Sequence, residues 1–226
     1  GAVVGVQPFG GHGLSGTGPK AGGPFYLQKL SGITHWKQPT LSRIGSVDET
    51  ALARIQAQLH QLPLSQEQKL NLAAIAGRTR LQTLCGAESV LTGPTGERNV
   101  LSWHAPKKVW LYGGNLQQAF AALTVLAASG MEAIVAADSP LAAHQAGLEG
   151  LISISTDPTA EGISHVIALE NLPLAVKQQL AGSDGALVKI LPSEQGVDVL
   201  QLFEEISCSS NTTAAGGNAS LMAMAD

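Results

Sequence analysis

Apolar residues in the first half of the chain recur at helical spacing. Leucine and isoleucine follow this spacing over residues 49–61, which predicts a helix there. Asp48 or Ser46 can cap its first turn, and Pro63 ends it. The first helix of the chain is therefore expected to have defined ends.

A second helix is predicted directly after the first. Ser65 followed three residues later by Gln68 matches a capping box, and the apolar stripe that follows extends to about Cys85. The two helices form a pair, and we interpret residues 48–106 as a helical linker.

From residue 107 the pattern changes to short apolar runs that alternate with helix-like stretches. Alternating strands and helices with apolar strands are typical of an α/β fold with a mainly parallel sheet covered on both faces. We therefore predict a Rossmann-like, doubly wound sheet over residues 107–207. The predicted strands are 109–112, 133–136, 151–154, 165–168 and 186–190, and the predicted helices are 116–128 and 172–180.

Glycine dominates the start of the chain. Residues 1–32 contain 10 of the 26 glycines, so this segment cannot be regular helix or strand throughout. We expect a shaped loop, closed by a short helix-like piece over residues 24–30.

Charge excludes one class of function and separates the two halves of the chain. The net charge of −4 gives no basic footprint for nucleic acid. Residues 1–114 carry 11 Lys and Arg against 5 Asp and Glu, whereas residues 115–226 carry 2 against 12. This asymmetry favours two separately built halves. No apolar run approaches the roughly 20 residues of a transmembrane helix, so we expect none.

Few residues suggest chemistry of their own. Cys85 and Cys208 lie far apart, which favours two buried or half-buried thiols over a zinc site or a nucleophile. The six histidines fall in no metal-ligand spacing. Glu204 and Glu205 are expected on a solvated face. We therefore predict no catalytic residue and no metal ligand in this chain.

Two glycine turns resemble phosphate loops, and neither is complete. The turn at 113–118 reads GGNLQQ, and Asp138 follows at the distance of a ribose-binding acid. The turn lacks the later glycines of GxGxxG, so a scaffold with an empty crevice is favoured over a dinucleotide site. Residues 93–99 lack GK[ST] and are expected to form a surface turn.

Both ends of the chain carry more specific motifs. Residues 8–24 read PFGGHGLSGTGPKAGGP, which resembles the PFGGxxxSGTGxKxGG signature of the aldehyde dehydrogenase superfamily. Its GPKAGGP version is similar to that of proline utilization A proteins, which join proline dehydrogenase to L-glutamate-γ-semialdehyde (pyrroline-5-carboxylate) dehydrogenase. Residues 210–222 read SNTTAAGGNASLM and resemble the C-terminal motif of that family.

The resemblance implies a bacterial, cytoplasmic parent enzyme of which this chain is the last part. The parent would oxidise proline with FAD and then oxidise the semialdehyde to glutamate with NAD. The superfamily's catalytic Cys and general-base Glu have no counterpart here, so this chain alone is expected to be inactive and to bind neither cofactor. Its expected partners are the rest of the parent dehydrogenase and further copies in a homo-oligomer.

The resemblance also implies site residues and domain limits. Substrate binding would fall to Gly1 and Ala2, whose amides anchor the carboxylate, and to Phe9, which packs on the aliphatic chain. The C-terminal motif supplies Asn211, Thr212, Gly216, Gly217 and Asn218. The domains would be 1–47, the end of the aldehyde dehydrogenase domain; 48–106, the linker; 107–207, a non-catalytic lid over the intermediate cavity; and 208–226, the motif tail.

A second interpretation stays open at this point. The Rossmann-like part could be a nucleotide-binding or subunit-assembly module with no role in the dehydrogenase. A filled crevice near Gly113 and Asp138 would favour the lid, and a bound nucleotide there would favour the module.

Overall fold

Residues 3–31, 39–159 and 162–212 are described by the computed structural model. Near the start, β1 (His12–Gly13) and β2 (Gly16–Thr17) form a small antiparallel hairpin, and α1 (Tyr26–Ser31) follows. The expected shaped loop and short helix are therefore confirmed.

The next two helices begin at the predicted residues, and α2 also ends at the predicted residue. In α2 (Glu49–Gln61), the Asp48 side chain accepts a hydrogen bond of 2.9 Å from the Ala51 amide, so Asp48 is the cap. In α3 (Gln66–Gln82), Ser65 and Gln68 form the complete capping box. This helix ends three residues before Cys85.

The linker is helical only in its first part. After α3 come two strands, β3 (Glu88–Leu91) and β4 (Glu97–His104), which pair antiparallel around a loop. Describing all of 48–106 as helical was therefore wrong for residues 88–104. Segment 93–99 is a turn up to its middle and then enters β4, whose alternating burial marks a strand with one face inward.

The Rossmann-like part contains the predicted parallel sheet. Its strands stand in the order β7-β6-β5-β8-β9, and every neighbouring pair is parallel. Strand order reverses between β5 and β8, so the crevice of this α/β sheet opens there. The elements are β5 (Lys108–Tyr112), α4 (Leu116–Ala128), β6 (Glu132–Val135), a 3₁₀ turn (Ala142–Gly147), β7 (Ile152–Ile154), β8 (Ile163–Ala168), α5 (Leu174–Ala181) and β9 (Lys189–Pro192).

The last strand returns to the linker. After α6 (Val199–Leu202), β10 (Glu204–Asn211) pairs antiparallel with β4 along all eight residues of each strand. The second sheet therefore has the order β10-β4-β3, and β10 completes it from the far end of the described chain.

Apolar side chains cover both faces of the parallel sheet. One face packs under α4, whose Phe120, Leu123 and Leu126 are fully buried, and α2 and α3 pack on the outside of α4. The other face packs against α5 through a smaller cluster that includes Trp110 and Val166. The helical pair thus shares a core with the sheet, while the boundaries of the proposed domains stay a prediction.

Among the helices that the structure describes, none combines the length and the hydropathy that crossing a bilayer requires.

Candidate functional site

Phe9 lies on an ordered backbone with its side chain in solvent. Its exposed fraction is 66%, so Phe9 is not a core aromatic among the residues that the structure describes. The Phe9 amide donates to the Ala21 carbonyl at 3.1 Å, and the Ala21 amide donates back at 2.9 Å. Lys20 Nζ also donates to the Gly10 carbonyl at 2.7 Å. A large apolar side chain is thus presented outward from a fixed main chain.

The glycines beside Phe9 permit close contact between chain segments. Gly22 has φ +78°, and a Cβ there would lie 3.1 Å from Val4 Cα. The Gly5 amide donates to the Gly22 carbonyl at 3.1 Å in the same place. We call residues 3–23 the glycine-rich segment, because these backbone contacts define it.

The other predicted site residues are only partly described. Gly1 and Ala2 lie outside the described residues, immediately before the glycine-rich segment. Asn211 ends β10 opposite Glu97, and the Thr212 amide donates to the Gly96 carbonyl at 2.8 Å. Gly216, Gly217 and Asn218 also lie outside the described residues. Of the two groups of motif residues, the structure therefore describes Phe9, Asn211 and Thr212, and the roles of both groups stay a prediction.

A buried ionic cluster lies beneath the glycine-rich segment. Lys29 Nζ and Glu205 Oε1 are 3.3 Å apart, with side chains only 3% and 2% exposed. The other carboxylate oxygen, Oε2, accepts a 2.9 Å hydrogen bond from the Lys20 amide. Assigning Glu205 to a solvated face was therefore wrong. Its partners stand far away in sequence, and a pair of adjacent glutamates carries no local sign of burial.

Two further ionisable groups of this cluster are strongly perturbed. Burial lowers the pKa of His165 to about 3, and the positive charges of Lys189, His12 and Lys29 add to the effect. Burial and the charge of Lys29 lower the pKa of Lys189 to about 8. Lys189 Nζ donates to the Gln201 carbonyl at 2.9 Å. The pKa values of these groups are shifted by packing between distant parts of the chain, which sequence patterns do not reveal.

An exposed glutamate lies against the glycine turn at the sheet crevice. After β5, the Gly114 amide faces Glu170 Oε2 at 3.4 Å. A Cβ on Gly113 would lie 2.3 Å from the Glu170 side chain, and one on Gly114 would lie 2.8 Å from Leu169. A carboxylate beside the Gly114 amide disfavours a phosphate at that amide. Asp138 is exposed after β6.

A cavity opens next to the glycine turn that follows β5. Its volume is about 580 Å³, and it opens between α3, the first turns of α4 and the loop after β9. This size falls within the usual range for small-molecule sites. Its wall is mixed, with polar and apolar side chains that include Arg78, Gln82, Gln118, Leu169, Ser193 and Asp198.

Cys85 does not have the surroundings of a nucleophile. Cys85 is half-buried, burial raises the pKa of its thiol, and its Sγ donates to the Ser129 carbonyl at 3.4 Å. A raised pKa disfavours the thiolate that attacks carbonyls. Cys208 is exposed on β10, so expecting a buried or half-buried thiol there was wrong. Within the described ranges, no cluster of three or more His, Cys, Asp or Glu side chains could hold a metal ion.

Sequence comparison relates the chain to much longer proteins. No protein-family model matches it. It is 35% identical over 244 residues to "Bifunctional protein PutA" of Salmonella typhimurium, and 35% identical over 250 residues to the Escherichia coli protein of that name. Each alignment covers 98% of this chain and 18% of the relative. The chain therefore spans about a fifth of the length of these curated relatives.

Two further comparisons concern a shorter match and the fold. The chain is 52% identical over 44 residues to "1-pyrroline-5-carboxylate dehydrogenase" of Geobacillus thermodenitrificans, which covers 20% of this chain and 8% of that protein. The solved structure of proline utilization A from Corynebacterium freiburgense superposes with a TM-score of 0.54 at 19% identity. That match covers 94% of this chain and 20% of the other, and it shows a shared fold.

Proposed function

Because this chain belongs to the proline utilization A family, we propose that it is a non-catalytic section of a bifunctional proline catabolic enzyme. The parent oxidises proline with FAD and then oxidises L-glutamate-γ-semialdehyde to glutamate with NAD. This section contributes a substrate anchor and a lid over the cavity through which the intermediate passes. Its partners are the remainder of the parent dehydrogenase and further copies of the whole protein, in the bacterial cytoplasm.

The observation that carries the anchor is the exposure of Phe9 on a fixed backbone. An aromatic side chain that is 66% exposed gains the free energy of apolar burial only when another surface covers it. In the parent that surface is the aliphatic chain of the semialdehyde, next to the catalytic thiol of the dehydrogenase body. Gly1 and Ala2 precede the ordered segment, and their amides bind the substrate carboxylate.

The Glu170 carboxylate beside the glycine turn supports a lid rather than an independent cofactor domain. Glu170 faces the Gly114 amide, where a bound nucleotide would place a phosphate. NAD and FAD then belong to other parts of the parent, and this section has no catalytic residue. Its sheet supplies a rigid body that excludes water from the passage of the intermediate.

The C-terminal motif has a proposed docking role. Asn211 and Thr212 continue β10 along the edge of β4, which fixes the direction in which the motif leaves the sheet. Its small residues, including Gly216, Gly217 and Asn218, suit close backbone contact in a groove of the dehydrogenase body or of another copy.

Phe9→Ala in the full-length parent tests the anchor. Removing the aromatic contact should raise KM for the semialdehyde by about ten- to a hundredfold, which corresponds to the roughly 1.5–3 kcal/mol of a buried Phe side chain. Short aldehydes that lack the carboxylate should be affected less. Steady-state NADH production with both substrates measures the difference.

Leu14→Ala provides the matched control, since Leu14 is 79% exposed in the same segment and lies between β1 and β2. Its kinetics should equal those of the parent. This chain alone, which should produce no NADH, serves as the blank. Equal losses for both classes of aldehyde in Phe9→Ala would refute the anchoring role.

A second candidate function rests on the 580 Å³ cavity beside the crevice. A cavity of this size at the carboxyl ends of parallel strands suits a small ligand, which would make the Rossmann-like part a binding module. Saturable binding of NAD or ATP to this chain in calorimetry would favour the module over the lid. The Glu170 carboxylate favours the lid.

A further inference from the structure

The glycine-rich segment has almost no apolar core of its own. Among its described side chains, Pro8 is the buried one, whereas Val4, Phe9 and Leu14 are between 66% and 83% exposed. Phe25 packs at 5.7 Å against Trp103, but it stands beyond the segment, next to α1. Apolar burial therefore attaches one end of the segment and does not orient it.

Backbone hydrogen bonds make the segment a single unit. Phe9 and Ala21 exchange two of them, and the Gly5 amide donates to the Gly22 carbonyl. Whatever fixes Lys20 and Ala21 therefore also fixes the main chain of Phe9. A residue that fixes Lys20 therefore also positions Phe9.

Carboxylates of the β10-β4-β3 sheet attach the unit to the rest of the chain. Gln7 contacts Glu97 on β4, His12 Nε2 lies 3.1 Å from Glu204, and the Lys20 amide donates to Glu205 at 2.9 Å. Of these three residues, Glu205 is the buried one, and its side chain is only 2% exposed. A hydrogen bond to a charged acceptor away from water is the strongest of such contacts.

We propose that Glu205 is the positioning residue of the anchor: its carboxylate fixes Lys20, and through the Phe9–Ala21 pair it fixes the direction of the Phe9 side chain. The inference deepens the function proposed above and rests on it for the role of Phe9. Glu205 touches no substrate, so its effect on the reaction passes entirely through the glycine-rich segment.

Lys29 has a different role in the same cluster. It neutralises the carboxylate at 3.3 Å and donates to the Phe203 carbonyl at 3.4 Å. Removing only one partner would leave a buried charge without compensation, which is strongly destabilising. A buried ion pair adds little net stability, so its value here is that it fixes one geometry.

Two paired substitutions isolate the hydrogen bond to Lys20. Lys29→Met/Glu205→Met removes both charges and the acceptor, whereas Lys29→Met/Glu205→Gln removes both charges and keeps an oxygen that can accept from the Lys20 amide. Because neither variant leaves a buried charge unpaired, both should fold. The two proteins differ in one side-chain group of similar size.

Amide hydrogen exchange of this chain measures the positioning directly. The Phe9 and Ala21 amides should exchange roughly tenfold faster in the Met pair than in the Gln pair, because local opening no longer breaks the Lys20 contact. Amides of α4 should exchange equally in both. Glu49→Gln/Arg80→Met, which removes an exposed ion pair between α2 and α3, is the matched control and should leave Phe9 and Ala21 unchanged.

Equal exchange at Phe9 and Ala21 in the Met and Gln pairs would overturn the proposal, whatever the role of Phe9. In the full-length parent, the Met pair should raise KM for the semialdehyde while kcat stays within about twofold, and the Gln pair should restore KM. If the exchange difference appears but Phe9→Ala leaves KM unchanged, the positioning stands and the anchoring function fails.

Discussion

The parallel sheet and the glycine-rich segment are ordered by opposite means. The sheet places apolar side chains of α4, β5 and β8 in two clusters, one on each face, where burial supplies the stability. The glycine-rich segment exposes its large side chains and is fixed by backbone pairs and carboxylates. The comparison teaches that the parallel sheet has an apolar core of its own, whereas the glycine-rich segment takes its shape against the carboxylates of the β10-β4-β3 sheet.

The largest expected effect comes from the core of the sheet. Phe120 is fully buried in α4 and contacts His144 edge-on at 5.6 Å. Phe120→Ala should lower the free energy of unfolding by about 3–5 kcal/mol, because it removes apolar burial and leaves a cavity. Urea unfolding followed by circular dichroism measures this loss, and the glycine-rich segment should lose its protection together with the sheet.

Leu70→Ala is the control for this variant. Leu70 is 62% exposed on α3, so its removal should change the unfolding midpoint little. A glycine-rich segment that kept its exchange protection while Phe120→Ala unfolded the sheet would contradict the dependence described above.

The next effect concerns the polar cluster between the two regions. His165 has a pKa of about 3 in the fold, against 6.5 for the free side chain, mainly because it is buried. Between these values the unfolded chain binds more protons, so stability falls as pH drops below about 6.5 and His165 contributes nothing above that pH. At pH 5 the loss relative to pH 7 should be about 2 kcal/mol.

Replacing the imidazole should remove this part of the pH dependence. Urea unfolding of His165→Gln between pH 7 and pH 5 should show a shallower slope than the unsubstituted chain, whereas His60→Gln, at an exposed position of α2, should show the same slope. Parallel slopes for His165→Gln and the unsubstituted chain would show that His165 takes up its proton without cost in the fold.

The smallest effect comes from a polar contact that positions only a helix end. Ser65 accepts a hydrogen bond of 3.2 Å from the Gln68 amide at the start of α3. Ser65→Ala should cost about 1 kcal/mol, and Ser65→Asp, which keeps an acceptor, should recover it. Thermal unfolding compares the two, and exchange at Phe9 should stay unchanged in both. A faster exchange at Phe9 would contradict the expectation that this helix cap acts on α3 and not on the glycine-rich segment.

Local signals made the helices and the parallel strands predictable. Asp48 and Ser65 act on amides three residues away, and the apolar runs of β5 and β6 identify buried strands without knowledge of their partners. The antiparallel sheet could not be found in this way. Its β10 pairs with β4 between residues at least 100 positions apart, and the strand sequence EEISCSSN is mostly polar, like that of a loop.

Site residues could be predicted from the sequence only where they lie within a recognisable motif. Phe9 stands within the PFGG motif, and the structure shows its exposure. Glu205 was assigned to solvent because it forms a pair of adjacent glutamates with Glu204, whereas its burial depends on Lys29 and Lys20, which belong to the opposite end of the chain. Electrostatic partners at such separations leave no pattern in a single sequence.

The return of β10 to β4 also imposes an order in time. Lys20 and Glu205 are 185 residues apart, so a ribosome makes the glycine-rich segment well before it makes the buried partner of that segment. At about 5–20 residues per second, roughly 10–40 s of synthesis separate the two. During that interval the glycine-rich segment lacks its positioning carboxylate, and a nascent chain halted before β10 would present the Phe9 loop to chaperones and proteases rather than to substrate.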